Sequence, residues 1–90
     1  MENIKDNSVF ISGKPFMKYV TAGVLKLNKG DIIIKARGKW ITRAVDVAEV
    51  IRNSFVKEAK ISGIKIGSQE VSDEKRKTRI STIELTMAKE

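Results

Sequence analysis

The apolar residues in the first half of the chain form two short runs and, between them, a helical pattern. Val9–Ile11 is an apolar run that predicts a first strand, and the unbroken run Ile32–Ile34 is typical of a short strand buried on both faces. Pro15 follows the first run after a polar turn and favours the first position of a helix. The spacing beyond it predicts a helix that ends near Leu27, with Tyr19 off its apolar face. That face consists of Phe16, Val20, Gly23, Val24 and Leu27.

A second helical pattern runs from Ala44 to Phe55. Thr42 is a suitable N-cap, because its side-chain oxygen can accept a backbone N–H of the first helical turn. Val47 and Val50 widen the apolar face, so we expect the helix either to make one broad contact with the sheet or to contact a second subunit as well. The other apolar positions are Ile41, Ala44, Val45, Ala48, Ile51 and Phe55.

The last third of the chain changes from helical spacing to alternation. Ile64 and Ile66 alternate with polar residues, and the same pattern returns over residues 83–87, which predicts two strands with one buried face each. Residues 67–82, which we call the arm, are mostly polar and charged, and Ser72–Lys75 is the expected turn. A two-stranded arm without a core of its own is only marginally stable. The arm is therefore either a hairpin that a ligand orders or a charged loop.

The predicted order of elements is β-α-β-α-β-β in a single domain, residues 1–90. Two right-handed β-α-β crossovers place both helices on the same face of the sheet. The final hairpin then adds one antiparallel strand to the parallel ones. The sequence therefore predicts an α/β fold, a two-layer sandwich with a mixed four-stranded sheet, two helices on one face and a projecting β-hairpin arm.

The chain is strongly basic and lacks the side chains on which many catalytic and metal sites depend. Its net charge is +7 and its pI is near 9.9, which favours an acidic partner, nucleic acid before an anionic membrane. It contains no cysteine and no histidine. We therefore predict no enzymatic activity, no cofactor and no metal site. No apolar run could span a membrane and the polar segment Met1–Ser8 does not resemble a signal peptide, so we expect a cytoplasmic protein.

The densest positive charge lies between the second strand and the second helix. Residues 35–43 carry four cations and no acid, and we expect them to form a strand-to-helix loop. Like charges this close repel one another, and a polyanion would neutralise them. Gly38 lets the backbone turn, and the helix N-terminus beyond it adds free N–H groups. The alternative is a solvated basic loop without a ligand. The four cations are Lys35, Arg37, Lys39 and Arg43.

Six short stretches, spread over most of the chain, form a family pattern. They are Gly13–Val20, Ile34–Lys39, Ala44–Asp46, Ile51–Asn53, Ile66–Gln69 and Arg79–Leu85. Together they resemble the Alba family of archaeal chromatin proteins, in the family's order. The resemblance implies a homodimer with the fold of the C-terminal domain of bacterial translation initiation factor three, which binds double-stranded DNA and also RNA and compacts chromosomal DNA. The alternative that it implies is an RNA-binding subunit of an RNA-processing complex such as ribonuclease P.

The resemblance also implies roles for individual residues. The family's body-contact lysine before the first helix matches Lys14, while two hairpin arms embrace the duplex at the minor groove. Phe55 matches a phenylalanine that joins one dimer to the next, so dimers of a chromosome-associated protein would associate along DNA. The candidate nucleic-acid-binding residues are Lys14, Lys18, Lys35, Arg37, Lys39, Trp40, Arg43, Lys75, Arg76, Lys77 and Arg79.

Two positions depart from the family pattern. Relatives often have two successive lysines before the proline, and here Gly13 replaces the first of them. That first lysine is the one tied to acetylation control, so such control lacks its usual acceptor in this chain. Trp40 stands where many relatives have a small residue. Its indole either packs against the helix or offers an aromatic surface to a base or sugar.

Overall fold

The computed structural model describes residues 7–90, and its elements confirm the predicted fold class. The elements are β1 Ser8–Phe10, α1 Phe16–Leu27, β2 Ile32–Arg37, α2 Ile41–Val50, β3 Ala59–Ser72 and β4 Lys77–Lys89. One sheet has the strand order β1-β2-β4-β3, with β1 parallel to β2 and with β4 antiparallel to both of its neighbours. The helices cover one face of this mixed sheet, which makes a two-layer sandwich. Most of Met1–Ser8 lies outside the described range.

The core lies between the two helices and the inner face of the sheet. Ile32 and Ile34 of β2 and Met87 of β4 are fully buried there, in one cluster with Ile51. Gly23 of α1 packs closely on this cluster, because a Cβ at this position would lie 2.5 Å from Cδ1 of Ile51 and that side chain would have to shift. The apolar positions of the sequence thus identify the core correctly where helix and sheet meet.

The expectation that Tyr19 lies off the buried face of α1 is wrong. Its side chain is buried, with 6% of the residue exposed. The chain between β1 and α1 folds over the ring, and the hydroxyl oxygen accepts the backbone N–H groups of Ser12 and Lys14. Helical spacing does not reveal this burial, because the covering residues come from a turn and not from a neighbouring helix or strand.

The basic stretch 35–43 is regular structure, so the prediction of a strand-to-helix loop is wrong. β2 continues beyond Lys35, because β4 pairs with it as far as Arg37, opposite Thr82. A single 3-10 turn, Gly38–Trp40, then connects β2 directly to α2. The cations of this stretch are therefore held on a strand, a tight turn and a helix.

The second helix differs from the prediction at both ends. It begins at Ile41, before the predicted Ala44, so Thr42 lies inside the first turn and is not the N-cap. The α-helix ends at Val50, and one wider π-helical turn, Ile51–Phe55, completes the helical segment. The predicted last residue of the segment is thus correct, although the final turn is not α-helical.

The predicted hairpin is confirmed, including the position of its turn. Beyond a bulge at Ile61 and Gly63, β3 and β4 pair residue by residue up to Ser72 opposite Lys77. Residues 73–76 form the turn, which overlaps the predicted one. The arm is therefore a paired two-stranded ribbon.

The face of β3 that was predicted to be buried is instead exposed. Ile64 and Ile66 lie opposite Leu85 and Ile83, on the side of the sheet that carries the helices. However, β3 is the outer strand of the sheet, and α2 packs over β2 and β4. The exposed fractions of Ile64 and Ile66 are 66% and 76%. The alternation correctly predicts the strand but not its burial within one chain.

Candidate nucleic-acid interface

Lys14 lies in the turn between β1 and α1, residues 11–15, which we call the Lys14 turn. This turn is held from two sides. The hydroxyl oxygen of Tyr19 accepts the backbone N–H groups of Ser12 and Lys14, each at 3.0 Å. From the other side, Nη1 of Arg43 donates to the carbonyl oxygen of Lys14 at 2.8 Å. Lys14 is exposed, so the turn presents an ammonium group from a fixed backbone.

The same hydrogen bonds change the acidity of Tyr19. Burial on its own would raise the pKa of this phenol, because it disfavours the charged form. The hydrogen bond between the hydroxyl groups of Ser12 and Tyr19, those from the two backbone N–H groups and the charge of Lys14 together outweigh burial and lower the pKa below its ordinary value. The backbone donors of the turn and the charge of Lys14 therefore both favour negative charge at the phenol oxygen.

Arg43 supports the Lys14 turn in addition to being a candidate ligand contact. It lies in the first turn of α2, and its Cζ lies 5.5 Å from the centroid of the Trp40 ring. Since one N–H group binds the carbonyl oxygen of Lys14, the guanidinium connects α2 to the β1–α1 turn. A guanidinium has five donors, so other N–H groups can bind a phosphate. The phosphate contact stays a prediction.

The two departures from the family pattern meet in space. A Cβ on Gly13 would lie 3.7 Å from Cη2 of Trp40, which places the indole against the backbone of the Lys14 turn. Trp40 is half-buried and packs against the core cluster. Nζ of Lys39 lies 5.0 Å from the centroid of the same ring. A contact between this ring and a base or sugar stays a prediction.

Lys35 and Arg37 extend from the side of the sheet away from the helices, which we call the open face. Nζ of Lys35 lies 5.4 Å from the centroid of the Phe10 ring, on the neighbouring strand β1. Nη1 of Arg37 donates to Oε1 of Gln69 at 3.2 Å. The four predicted cations are thus divided, because Lys35 and Arg37 lie on the open face whereas Lys39 and Arg43 lie beside Trp40 and the Lys14 turn. The sequence analysis did not identify Phe10 or Gln69 as site residues.

Lys18 lies in the first turn of α1, directly after the Lys14 turn. It is exposed on α1 and lines a shallow depression of about 250 Å³ together with Lys14, Lys26 and Phe10. Lys26 is engaged with the backbone, because its Nζ donates to the carbonyl oxygen of Ser8 at 2.9 Å. Lys18 therefore extends the positive surface from the Lys14 turn along α1.

The turn of the arm is closed by Asp73. Its Oδ1 accepts the backbone N–H groups of Lys75 and Arg76, each at 2.9 Å. The hydrogen bond from Lys75 and then that from Arg76 stabilise the carboxylate and lower the pKa of Asp73. Because the carboxylate binds the backbone of the turn, the side chains of Lys75 and Arg76 remain exposed at its tip.

The arm carries charges of both signs. Lys77 and Arg79 follow the turn on β4, and Nη1 of Arg79 donates to Oγ of Ser68 across the ribbon at 2.9 Å. All four predicted arm cations are exposed. Three acids, Glu70, Asp73 and Glu74, lie on the same arm. The arm is therefore less densely positive than residues 35–43.

The candidate site consists of cations, aromatic rings and backbone donors. Within residues 7–90, no group of three or more histidine, cysteine, aspartate or glutamate side chains is arranged to hold a metal ion. In the same part of the chain, no helix is long and apolar enough to cross a membrane. The groups that are present suit an anionic ligand.

These features define a small basic α/β domain with a hairpin arm, and comparison with known proteins identifies its family. The Alba family model matches residues 7–68. The chain is 42% identical over 86 residues to DNA/RNA-binding protein Alba 1 of Archaeoglobus fulgidus, covering 93% of this chain and 97% of that protein. It is 44% identical over 84 residues to DNA/RNA-binding protein Alba of Methanocella arvoryzae, covering 90% and 88%. The chain belongs to the Alba family.

Solved structures give the same result for the fold. Alba from Thermoplasma volcanium is 41% identical and matches with a TM-score of 0.86, covering 92% of this chain and 100% of that one. An Alba protein of Trypanosoma brucei is 22% identical with a TM-score of 0.77, covering 92% of this chain and 68% of that one, and shows the fold alone. Both the predicted family and the predicted fold class are confirmed.

Proposed function

We propose that the chain binds double-stranded DNA, and also RNA, by neutralising phosphates, and that it is not an enzyme. The observation that carries this proposal is the exposed ammonium group of Lys14 on a turn that Tyr19 and Arg43 hold in place. Lys39 lies on the adjoining 3-10 turn, and the whole chain has a net charge of +7. The names of the related archaeal proteins support the same reading.

Two surfaces divide the binding between them. The body surface consists of the candidate contacts on the strands, turns and helices of the sandwich, and the arm supplies the others. The body supplies most of the affinity because its charges are already in place, while the arm extends the footprint along a groove of the duplex. The body contacts are Lys14, Lys18, Lys35, Arg37, Lys39, Trp40 and Arg43. The arm contacts are Lys75, Arg76, Lys77 and Arg79.

A second copy of the chain completes the binding unit. Ile64 and Ile66 are large apolar side chains, and most of their surface is exposed on the helix side of β3. A homodimer with two-fold symmetry that covers this face removes apolar area from water and brings two arms into one assembly. A duplex then meets two body surfaces and two arms.

Dimers associate further along the nucleic acid through Phe55. This side chain lies at the end of the π-helical turn after α2, and 53% of the residue is exposed. An exposed phenyl ring at the end of a helical segment can pack against the same ring of a neighbouring dimer. Such contacts would let a chromosome-associated protein coat and compact DNA.

The second candidate function is that of an RNA-binding subunit in an RNA-processing complex such as ribonuclease P. The observation that favours it is the position of two aromatic rings beside cations, Phe10 with Lys35 and Trp40 with Lys39. Aromatic rings stack on unpaired bases, which structured RNA offers and duplex DNA does not.

The test is a titration of the protein with labelled duplex DNA and with structured RNA at matched salt concentrations. The logarithm of the association constant should fall linearly with the logarithm of salt, with a slope of about −4 to −6 for about four to seven phosphate contacts per dimer. Affinity that stays constant from low to moderate salt contradicts the electrostatic mechanism. Tighter binding to structured RNA than to duplex DNA at every salt concentration favours the second candidate.

A further inference from the structure

The open face contains a groove of about 520 Å³ that phosphate neutralisation alone does not require. Phe10 and Trp40 both line it, together with Arg37 and Gln69. Gly67 on β3 lies opposite Thr82 in this region, and a Cβ there would lie 3.3 Å from Oγ1 of Thr82. A side chain at residue 67 would therefore crowd Thr82, which lines the groove.

The aromatic rings in this groove each have a cation nearby. Phe10 is 64% exposed, and Nζ of Lys35 lies 5.4 Å from its centroid. Trp40 has Nζ of Lys39 at 5.0 Å from its own centroid. A ring with an adjacent ammonium group can stack on a base while the cation binds the phosphate of the same nucleotide. A surface that only follows the duplex backbone needs no such rings.

We propose that this groove binds an unpaired nucleotide of single-stranded RNA. A base inside a duplex is stacked on its neighbours, so only an unpaired base offers a free face to Phe10 or Trp40. Lys35 and Arg37 neutralise the phosphates on either side of it. This second mode of binding rests on the proposed function, since it uses the same basic end of the molecule.

Glu84 gives the groove its preference for RNA. It lines the groove, half-buried, and lies in register between Lys35 on β2 and Lys65 on β3. A carboxylate repels phosphate but accepts hydrogen bonds, so its partner on the ligand must be a donor. The ribose 2′-hydroxyl is such a donor, and it is absent from DNA.

The experiment uses Trp40, which is the single tryptophan of the chain, as its own reporter. The intact protein is titrated with short oligouridylate RNA, with oligodeoxyuridylate of the same length, and with duplex DNA. Saturable quenching of tryptophan fluorescence by the RNA, with weaker binding of the deoxy strand, is the expected result. Equal affinity for the ribose and deoxyribose strands overturns the proposal.

Variants of Phe10 separate stacking from electrostatics. Phe10→Leu keeps an apolar side chain but removes the ring, and should lower the affinity for the single strand by about tenfold, with duplex affinity unchanged within about twofold. Phe10→Tyr keeps the ring and should bind as the wild type does. Leu25→Ala is the matched control, because Leu25 is 61% exposed on α1 and does not line this groove. Glu84→Ala should remove the preference for ribose.

The outcomes distinguish the groove from the proposed function. If the wild type binds duplex normally and Phe10→Leu leaves single-strand affinity unchanged, the groove is not a nucleotide site and the proposed function stands. The proposed nucleotide site is also overturned if Phe10→Leu lowers the affinities for duplex and for single strand equally. If the wild type binds no duplex at moderate salt, the proposed function fails whatever the single strand does. Circular dichroism and light scattering must first show that each variant keeps the wild-type fold and oligomeric state.

Discussion

The Lys14 turn and the arm both present cations from a turn, but different parts of the chain hold them. The Lys14 turn is fixed by Tyr19 of α1 and by Arg43 of α2, which are elements that pack on the core. The turn of the arm is closed by its own Asp73, and Arg79 binds Ser68 across the same ribbon. The first turn therefore derives its rigidity from the tertiary structure, and the second has only local support.

This difference predicts how each region contributes to binding. Binding to a fixed cation loses little conformational entropy, whereas ordering of a marginally stable ribbon offsets part of what its contacts gain. Charge acts in the same direction, because Glu70, Asp73 and Glu74 reduce the positive potential of the arm. The body should thus set the affinity, and the arm should set the length of the footprint.

The largest expected effect comes from reversing charge on the body. Lys14→Glu combined with Arg37→Glu should abolish measurable duplex binding at physiological salt, because two phosphate contacts become repulsive. Gel-shift or anisotropy titrations give the affinity. The matched control, Lys29→Glu with Lys57→Glu, makes the same change in net charge at exposed residues outside both regions and should retain clear binding. Equal loss of binding in both double variants would mean that only total charge matters.

Shortening the arm should have a smaller effect. Replacement of Glu70–Lys77 by a short glycine-containing turn should leave weaker but detectable duplex binding, with a footprint that is shorter at its edges. Nuclease or hydroxyl-radical footprinting measures this change directly. Lys75→Ala with Arg76→Ala keeps the turn, since Asp73 binds backbone N–H groups, and isolates the role of charge. If arm deletion removes all binding while the body double variant still binds, the two roles are reversed.

Loosening the Lys14 turn tests whether its rigidity matters. Tyr19→Phe keeps the buried ring but removes the acceptor for the N–H groups of Ser12 and Lys14. We expect a loss of about 1 kcal/mol in the free energy of unfolding and an affinity that falls by less than about tenfold. Denaturant unfolding and duplex titration measure the two effects.

Ser12→Ala is the control for this change, because it removes only the side-chain hydrogen bond to Tyr19 and leaves both backbone contacts in place. It should bind more tightly than Tyr19→Phe. Unchanged affinity in Tyr19→Phe, with lower stability, would show that binding does not depend on a fixed Lys14.

The smallest effect on intrinsic affinity should come from Phe55, which lies outside both regions. Phe55→Ala should leave the dimer folded and its binding to a short duplex unchanged, but should reduce cooperative coating of long DNA. Sedimentation or single-molecule measurement on long DNA gives the cooperativity. Loss of about 3–5 kcal/mol of stability would instead identify Phe55 as a core residue, contrary to its exposure.

Local pattern was sufficient for much of the fold and for part of the site. The helical spacing after Pro15 correctly places α1, and alternation in the last third correctly places the hairpin and its turn. These features depend on neighbouring residues, so the sequence shows them directly. The concentration of cations in residues 35–43 is also countable along the chain, although its division between a strand, a turn and a helix is not.

What the sequence determined by itself was the order of the elements, the basic character of residues 35–43 and membership in the Alba family. The tertiary structure alone decided that Tyr19 is buried, that Ile64 is exposed and that Arg43 binds the carbonyl oxygen of Lys14. It also decided that Phe10 shares a groove with Trp40. Each of these facts depends on contacts between different elements or turns that packing brings together, and no local periodicity records such a contact.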